Sequence, residues 1–253
     1  NQTALMFVYY LITRWKELGK INGKEYIVKT IVTTETIKTI AERNGVEMYD
    51  VYTGFKWIAN VMRENEGKKN YIGGGEESYG FLCEDFVRDK DAVSACVILA
   101  EIAAWAKDQG LSLYQLLQKI YVEYGFSKEK GISVVKKGKS GAEEIEAMMK
   151  KFRENPLTEI AGSKVTYFYD YSTLKGKDYA ENETVTLDMP TTSNVLQYFT
   201  EDNTKVSIRP SGTEPKIKFY CEVHSKVKSI DELPEAEKAA EEKINQIKAS
   251  LGI

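Results

Sequence analysis

The sequence predicts an α/β protein of two domains. The first is a three-layer α/β/α domain with a mostly parallel sheet, and the second is an α+β domain whose antiparallel sheet is covered by helices. At 253 residues the chain is long enough to bury two cores. Strand-like and helix-like segments alternate in the first half, which favours parallel strands with right-handed crossovers. Strand-like segments follow one another without helices in the second half, which favours antiparallel pairing.

Hydrophobic periodicity and turn residues place the elements of the first domain. Helices are predicted at residues 3–18, 35–43, 55–64, 89–109 with Asp89 as the cap, and 113–124. Strands are predicted at residues 26–34, 46–52 and 71–72, the last running into Gly73-Gly74-Gly75. Ligands usually bind at the carboxyl ends of parallel strands, so we expect the site of this domain in the loops there.

The segment 126–141 is rich in lysine, glycine and serine, and we place the domain boundary inside it, between residues 130 and 131. Beyond it we predict a helix at 142–153 and strands at 164–171, 185–188, 195–199, 205–208 and 216–223. An apolar stripe then marks a last helix through Leu233, Ala236, Ala240, Ile244, Ile247 and Leu251. Two helices are therefore expected to cover one face of the second sheet.

Composition excludes several classes of function. With a net charge of -3, the protein as a whole has no positive electrostatic field that would attract nucleic acid or an anionic membrane. The apolar run 4–12 is too short to span a bilayer. The sequence has three cysteines, an odd number, and no CxxC pair; they are Cys83, Cys96 and Cys221. We therefore expect neither a disulfide framework nor a structural zinc site, and we expect the protein in a reducing cytoplasm. The chain enters its first helix directly at Asn1, and we expect that a segment precedes it.

The most informative motif is the loop 209–215, Arg-Pro-Ser-Gly-Thr-Glu-Pro, between two predicted strands. Arg209 offers a planar fork of donors, Ser211 and Thr213 offer hydroxyls, and Gly212 lets backbone amides turn inward. This set suits a phosphate, and Lys216 and Lys218 could add charge from the next strand. The alternative is an ordinary hairpin turn, since proline, serine and glycine favour turns on steric grounds alone.

A second motif, residues 73–80, follows a predicted strand and reads Gly-Gly-Gly-Glu-Glu-Ser-Tyr-Gly. Gly75 has no side chain and lets the loop stay close to the end of the strand. Glu76, Glu77 and Ser78 could bind the neighbouring hydroxyls of a sugar. The alternative is a solvated acidic turn. The motif has neither the spacing of a dinucleotide site nor that of a P-loop.

Two shorter segments place cations near predicted helix starts, where anions are favoured. They are residues 53–56, with Gly54 and Lys56, and residues 88–91, with Lys90. Helix capping and surface charge are the alternative for each. His224 is the single histidine, which argues against a Ser-His-Asp or histidine-metal mechanism within this chain.

Taken together, the 73–80 and 209–215 loops resemble the GE(E/M)S sugar loop and the RPSGTEP-type phosphate loop of the alpha-phosphohexomutase family of phosphoglucomutases and phosphomannomutases. The resemblance covers essentially the whole chain. It implies that residues 1–130 are the family's third domain and residues 131–253 its fourth, which has a TBP-like fold.

In that family the first domain carries a phosphorylated serine and the second a magnesium loop of DGD type, and this sequence contains neither. The resemblance therefore implies a C-terminal half that is inactive alone and has no metal ligands of its own. Mg²⁺ would belong to the full-length enzyme, and glucose 1,6-bisphosphate would be its intermediate and activator. The implied partners are hexose phosphate and domains one and two of the same enzyme.

The family's site residues carry over by position. Glu76 and Ser78, next to Gly75, would bind sugar hydroxyls, Gly54 and Lys56 would also read the substrate, and Lys90 would assist proton transfer. The phosphate would be held by Arg209, Ser211, Gly212, Thr213 and Lys218. The implied reaction interconverts hexose 1-phosphate and hexose 6-phosphate, with glucose favoured by the Glu-Glu-Ser form of the loop. Mannose, glucosamine or pentose phosphates, and a non-catalytic sugar-phosphate-binding module, remain alternatives.

Overall fold

The computed structural model describes residues 1–136, 138–212 and 214–253. The chain divides into two units, which are Asn1–Phe126 with Lys226–Leu233, and Ser127–Ser225 with Pro234–Ile253. The boundary that the sequence predicts, between residues 130 and 131, falls inside a strand, Phe126–Val135, and stays a prediction. None of the described helices combines the length and the apolar character needed to cross a membrane.

The first unit alternates strands and helices as predicted. Its elements are α1 (Gln2–Glu17), β1 (Glu25–Thr30), α2 (Thr36–Arg43), β2 (Glu47–Val51), α3 (Phe55–Asn65), β3 (Asn70–Gly75), β4 (Phe81–Cys83), α4 (Ala92–Asp108) and α5 (Leu113–Tyr124). The strand order is β2-β1-β3-β4, with β1 parallel to β2 and β3, and β4 antiparallel to β3. The mostly parallel sheet is confirmed, whereas β4 was not predicted.

Helices pack on both faces of this sheet. Alternate residues of β1 point to opposite faces, and apolar side chains on each face contact a helix. On one face Tyr26 and Val28 join a core cluster with Phe55, Ile58 and Met62 of α3. On the other, Ile27 pairs with Gly73, and a Cβ at Gly73 would lie 3.1 Å from Leu11 Cδ1 of α1. Residues 4–12 of α1 are all buried, as expected for a helix enclosed on every side.

The second unit is built on an antiparallel sheet, as predicted. Its elements are β5 (Phe126–Val135), α6 (Gly138–Glu154), β6 (Glu159–Ile160), β7 (Ser163–Asp170), β8 (Lys175–Asp178), β9 (Glu183–Thr186), β10 (Leu196–Thr200), β11 (Lys205–Pro210), β12 (Lys216–Ser225) and α7 (Leu233–Leu251). The strand order is β5-β12-β11-β10-β7-β8-β9, with β6 beside β7.

The helix-facing side of this sheet is apolar. Tyr198, Phe219 and Ile208 are almost completely buried there, the Tyr198 hydroxyl donates to the Phe152 carbonyl of α6 (3.0 Å), and the Phe152 and Phe219 rings lie 6.2 Å apart. In α7 the predicted stripe is buried at every position except Ala236, which is half-buried. Helices α6 and α7 therefore close the second core.

The structure adds a strand that was not predicted and corrects one prediction. β5 and the start of α6 lie within 126–141, the segment in which we place the domain boundary. Its lysines suit a strand because Lys128 pairs with Glu237 (3.0 Å) and Lys130 with Glu241 (2.7 Å), both on α7. The cap of α4 is Asp91 rather than Asp89, since Asp91 accepts hydrogen bonds from the amides of Val93 and Ser94.

The opposite face of the second sheet contains a buried charge cluster. Lys205 and Glu222 are paired residues of β11 and β12, their side chains are 2% and 3% exposed, and Lys205 Nζ lies 2.9 Å from Glu222 Oε2. His224 Nε2 lies 2.7 Å from the other oxygen. Burial raises the pKa of Glu222, but the charges of Lys205 and His224 outweigh it, so the net pKa is lowered. Burial lowers the pKa of His224, and the Glu222 carboxylate raises it by more.

Removing one partner of this pair should destabilise the chain strongly, because it leaves a buried charge without its counter-ion. Lys205→Met is expected to lower the free energy of unfolding by about 3–5 kcal/mol in urea denaturation at pH 7. The double variant Lys205→Met/Glu222→Leu is expected to recover most of that loss. A double variant no more stable than the single one would contradict this account of the cluster.

Candidate functional site

The loop after β3 is a tight hairpin whose base requires glycine. Gly75 pairs with Phe81, and the Glu76 amide donates to the Gly80 carbonyl (2.8 Å). A Cβ at Gly75 would lie 2.4 Å from the Gly80 carbonyl oxygen, and one at Gly74 would lie 2.2 Å from the Val28 carbonyl oxygen. Neither position has room for a side chain, so the glycines bring the backbone of β3 close to its neighbours.

Two of the sequence motifs meet at the carboxyl ends of β2 and β3. The Gly54 amide donates a hydrogen bond to Glu76 Oε1 (2.6 Å). Gly54 caps α3 with a φ of 115°, a backbone angle that glycine adopts readily and other residues rarely do. The bond links residues 53–56 to the 73–80 loop and fixes one oxygen of the Glu76 carboxylate.

Lys90 lies close to the same carboxylate. A Cβ at Gly80 would come within 3.2 Å of both Glu76 Oε2 and Lys90 Cδ, so these two side chains approach the same side of Gly80. The Lys90 ammonium lies 5.9 Å from the centre of the Phe55 ring and 3.1 Å from Asp89 Oδ1. Hydrogen bonds from Lys90 lower the pKa of Asp89. The structure thus brings together Gly54, Glu76 and Lys90 of the predicted site.

Ser78 and Lys56 are the exposed members of the predicted set. Ser78 lies at the solvent-exposed tip of the loop beside Tyr79, whose φ is 68°. The Lys56 ammonium lies over the Trp57 ring, 4.9 Å from its centre. Among the described residues no hydrogen bond or ion pair joins Lys56 to the 73–80 loop, so the structure does not place it with Gly54 and Glu76.

In the second unit, residues 209–215 connect β11 to β12. The Ser211 amide donates to the Lys216 carbonyl (2.8 Å) and closes the hairpin, so a hairpin turn is the correct description of its backbone. Arg209 lies directly opposite Lys218 across the strand pair. No carboxylate of the described residues lies within ion-pair distance of either side chain, whereas Lys216 is paired with Glu214. Lys216 lowers the pKa of Glu214.

A groove of about 680 Å³ opens beside this loop within the second unit. One wall contains Pro210, Ser211 and Gly212, and the other belongs to α6, with Ile145 and Met149. Gly212 is exposed and Ser211 is half-buried. Thr213 lies outside the described residues, so its predicted role stays a prediction.

Three features of these sites were not predicted: the Gly54–Glu76 hydrogen bond, the approach of Glu76 and Lys90 to one side of Gly80, and the opposition of Arg209 and Lys218. Counting outward from Ser211 and Gly212 would not have revealed the last, because it pairs Arg209 with Glu214 and not with Lys218. No sequence signal indicates the first two, because they depend on how separate loops pack. Within the described residues no group of three or more His, Cys, Asp or Glu side chains could hold a metal ion.

Comparison with known proteins agrees with this architecture. Residues 1–124 match the family description "Phosphoglucomutase/phosphomannomutase, alpha/beta/alpha domain III", and residues 133–240 match its "C-terminal domain". A phosphoglucomutase of Staphylococcus haemolyticus (strain JCSC1435) is 34% identical over 88% of this chain and 40% of its own length. One from Staphylococcus aureus (strain bovine RF122 / ET3-1) is 37% identical over 87% of this chain and 39% of its own length.

The crystal structure of parafusin, a phosphoglucomutase from Paramecium, in its open form superposes with a TM-score of 0.57 at 18% identity, over 90% of this chain and 37% of that one. This likeness supports the fold alone. The chain spans about two fifths of the length of the curated relatives that it matches. The two domain descriptions together cover most residues of this chain. The chain therefore belongs to the phosphoglucomutase/phosphomannomutase family.

Proposed function

We propose that this chain is the substrate-binding C-terminal half of a phosphohexomutase that interconverts hexose 1-phosphate and hexose 6-phosphate through a phosphoserine and a bisphosphate intermediate. The observation that carries the proposal is the opposition of the two cations Arg209 and Lys218 across a hairpin, with no carboxylate of the described residues within ion-pair distance of either. Glucose is the favoured sugar, because the matched Staphylococcus relatives are named phosphoglucomutases and the loop has the Glu-Glu-Ser form.

Electrostatics supports the phosphate role of the loop. Like charges directly opposite each other on neighbouring strands are unfavourable, so Arg209 and Lys218 gain from an anion between or above them. The guanidinium of Arg209 can bind two phosphate oxygens at once, and the Ser211 hydroxyl can donate a further hydrogen bond. These groups recognise a tetrahedral dianion and not the sugar attached to it. The loop can therefore accept a phosphate on either end of the hexose, as a mutase requires.

The 73–80 loop supplies groups of a different kind. One oxygen of Glu76 is held by Gly54, and the other lies beside Gly80, where the Lys90 side chain also lies. A carboxylate fixed in this way can accept hydrogen bonds from sugar hydroxyls without first losing side-chain entropy. The exposed Ser78 hydroxyl adds a donor and acceptor. Lys90 is the proposed proton-transfer residue, and Gly54 acts through Glu76.

The remaining parts of the reaction are assigned to other domains of the enzyme. We infer that domains one and two supply the phosphoserine and the Mg²⁺ ligands, so this chain by itself has no mutase activity. Glucose 1,6-bisphosphate is the proposed intermediate and the ligand expected to bind this half. All three cysteines are free thiols, which is consistent with the reducing cytoplasm that we propose as its location.

Loss of the Arg209 side chain should weaken phosphate binding. Arg209→Ala is expected to raise the dissociation constant for glucose 1,6-bisphosphate about tenfold or more in calorimetric titration, because a charge-assisted hydrogen bond contributes about 1.5–3 kcal/mol. Arg63→Ala, an exposed arginine on α3, is the matched control and should leave binding unchanged. Equal affinities of the two variants would contradict the phosphate assignment.

Substitution at Glu76 separates sugar recognition from phosphate recognition. Glu76→Gln keeps an acceptor for the Gly54 amide but removes the charge, and it is expected to weaken binding of glucose 1,6-bisphosphate about tenfold. Inorganic phosphate has no sugar hydroxyls, so its affinity should not change. A variant that weakens both ligands equally, or neither, would show that Glu76 does not read the sugar.

A further inference from the structure

Tyr79, at the tip of the 73–80 loop, is the most exposed large hydrophobic residue of the described chain. Its side chain is 104% exposed, whereas the next of this group, Val93, is 73% exposed. Within the described residues the Tyr79 ring takes part in no hydrogen bond, ring contact or cation–π contact. Packing within the chain therefore does not explain a tyrosine at this position.

The backbone at Tyr79 is also unusual for an aromatic residue. Its φ of 68° lies in the left-handed region, which glycine and asparagine adopt at lower cost. Tyr79 is the single aromatic among the described non-glycine residues with a positive φ. Residues held in such conformations are common at ligand-binding sites, where the position of the side chain offsets the strain. A tyrosine kept here against the backbone preference indicates a function for its side chain.

The hairpin keeps Tyr79 next to the groups already assigned to the sugar. The Glu76 amide donates to the Gly80 carbonyl (2.8 Å), so the tip between these two residues is short. Tyr79 follows Ser78 in the chain and precedes Gly80, which the Glu76 carboxylate and the Lys90 side chain both approach. The ring therefore belongs to the same tight turn as the groups proposed to bind the hexose.

The groups assigned so far would recognise only the hydroxyls of the sugar. Glu76 and Ser78 exchange hydrogen bonds with hydroxyls, and most of these lie around the edge of a hexose ring. The two faces of the ring expose C–H groups, which carry a small positive charge. The face of an aromatic ring is negative, so a tyrosine ring is complementary to a hexose face. Tyr79 supplies the one kind of contact that Glu76 and Ser78 lack.

We propose that Tyr79 stacks on the face of the hexose opposite the C1 phosphate and thereby selects glucose over mannose. This inference rests on the proposed function. In an α-hexose 1-phosphate the phosphate is axial and blocks one face of the ring. On the other face glucose presents the axial hydrogens of C2 and C4, whereas mannose presents its C2 hydroxyl. That hydroxyl would separate the sugar from the Tyr79 ring and would lose hydration against an apolar surface.

Calorimetric titration with the 1,6-bisphosphates of α-glucose and α-mannose tests the proposal. Tyr79→Leu is expected to weaken binding of the glucose compound about three- to tenfold, because an aromatic contact contributes about that factor beyond the area it buries. Tyr79→Phe keeps the ring and should bind like the unaltered chain. Tyrosine, phenylalanine and leucine all have a Cβ, so the backbone cost is similar in the three proteins. Tyr114→Leu, at an exposed tyrosine on α5, is the matched control and should leave both affinities unchanged.

The decisive quantity is the preference for glucose over mannose. The affinity for the mannose compound should change less than about twofold in Tyr79→Leu, so the preference should fall about threefold or more. In NMR spectra the hydrogens on C2 and C4 of the bound glucose compound should move to higher field with the unaltered chain and with Tyr79→Phe, but not with Tyr79→Leu.

Three results would overturn the proposal while leaving the proposed function intact. They are an unchanged preference in Tyr79→Leu, a Tyr79→Phe variant as weak as Tyr79→Leu, and the absence of the shifts at C2 and C4, each with glucose binding that still depends on Arg209. If the unaltered chain binds the glucose compound no better than Arg209→Ala does, the proposed function fails, and this inference fails with it.

Discussion

The geometry of the candidate site in the first unit depends on one short hydrogen bond, from the Gly54 amide to the Glu76 carboxylate (2.6 Å). The bond requires a glycine with a φ of 115° at the start of α3 and a hairpin after β3 whose base admits no side chain. Parallel pairing of β1 with β2 and β3 brings both loops to one edge of the sheet. The fold therefore converts three separate sequence segments into one oriented carboxylate with Lys90 beside it.

The strand pair β11–β12 presents two different charge arrangements on one sheet face. Lys205 and Glu222 are opposed residues of opposite charge, and they are buried and paired. Four residues further along β11, on the same face, Arg209 opposes Lys218, and no described carboxylate pairs with either. The first arrangement is complete within the chain, whereas we propose that an anion from solution completes the second. That difference supports the proposed phosphate site at the hairpin end.

Much of the fold could be predicted because hydrophobic periodicity is a local signal. The β/α alternation of the first unit and the buried stripe of α7 follow from spacing alone. Strand β5 was missed because its lysines find partners on α7, more than a hundred residues away in sequence. The same limit applies to α4, where the pattern predicts a helix but cannot indicate that Val93 and Val97 are exposed. In the candidate sites, sequence motifs indicated the residue types, and only packing determined which of them meet.

The most direct test of the central claim, that these loops are the substrate-binding part of a phosphohexomutase, is amide chemical-shift mapping of the isotope-labelled chain with glucose 1,6-bisphosphate. The account predicts saturable shifts at Arg209, Ser211, Gly212 and Lys218 and, with the same dissociation constant, at Gly54, Glu76 and Gly80. Inorganic phosphate should shift the first group alone. Shifts confined to other surfaces, or saturation of the two loops with unrelated affinities, would contradict it.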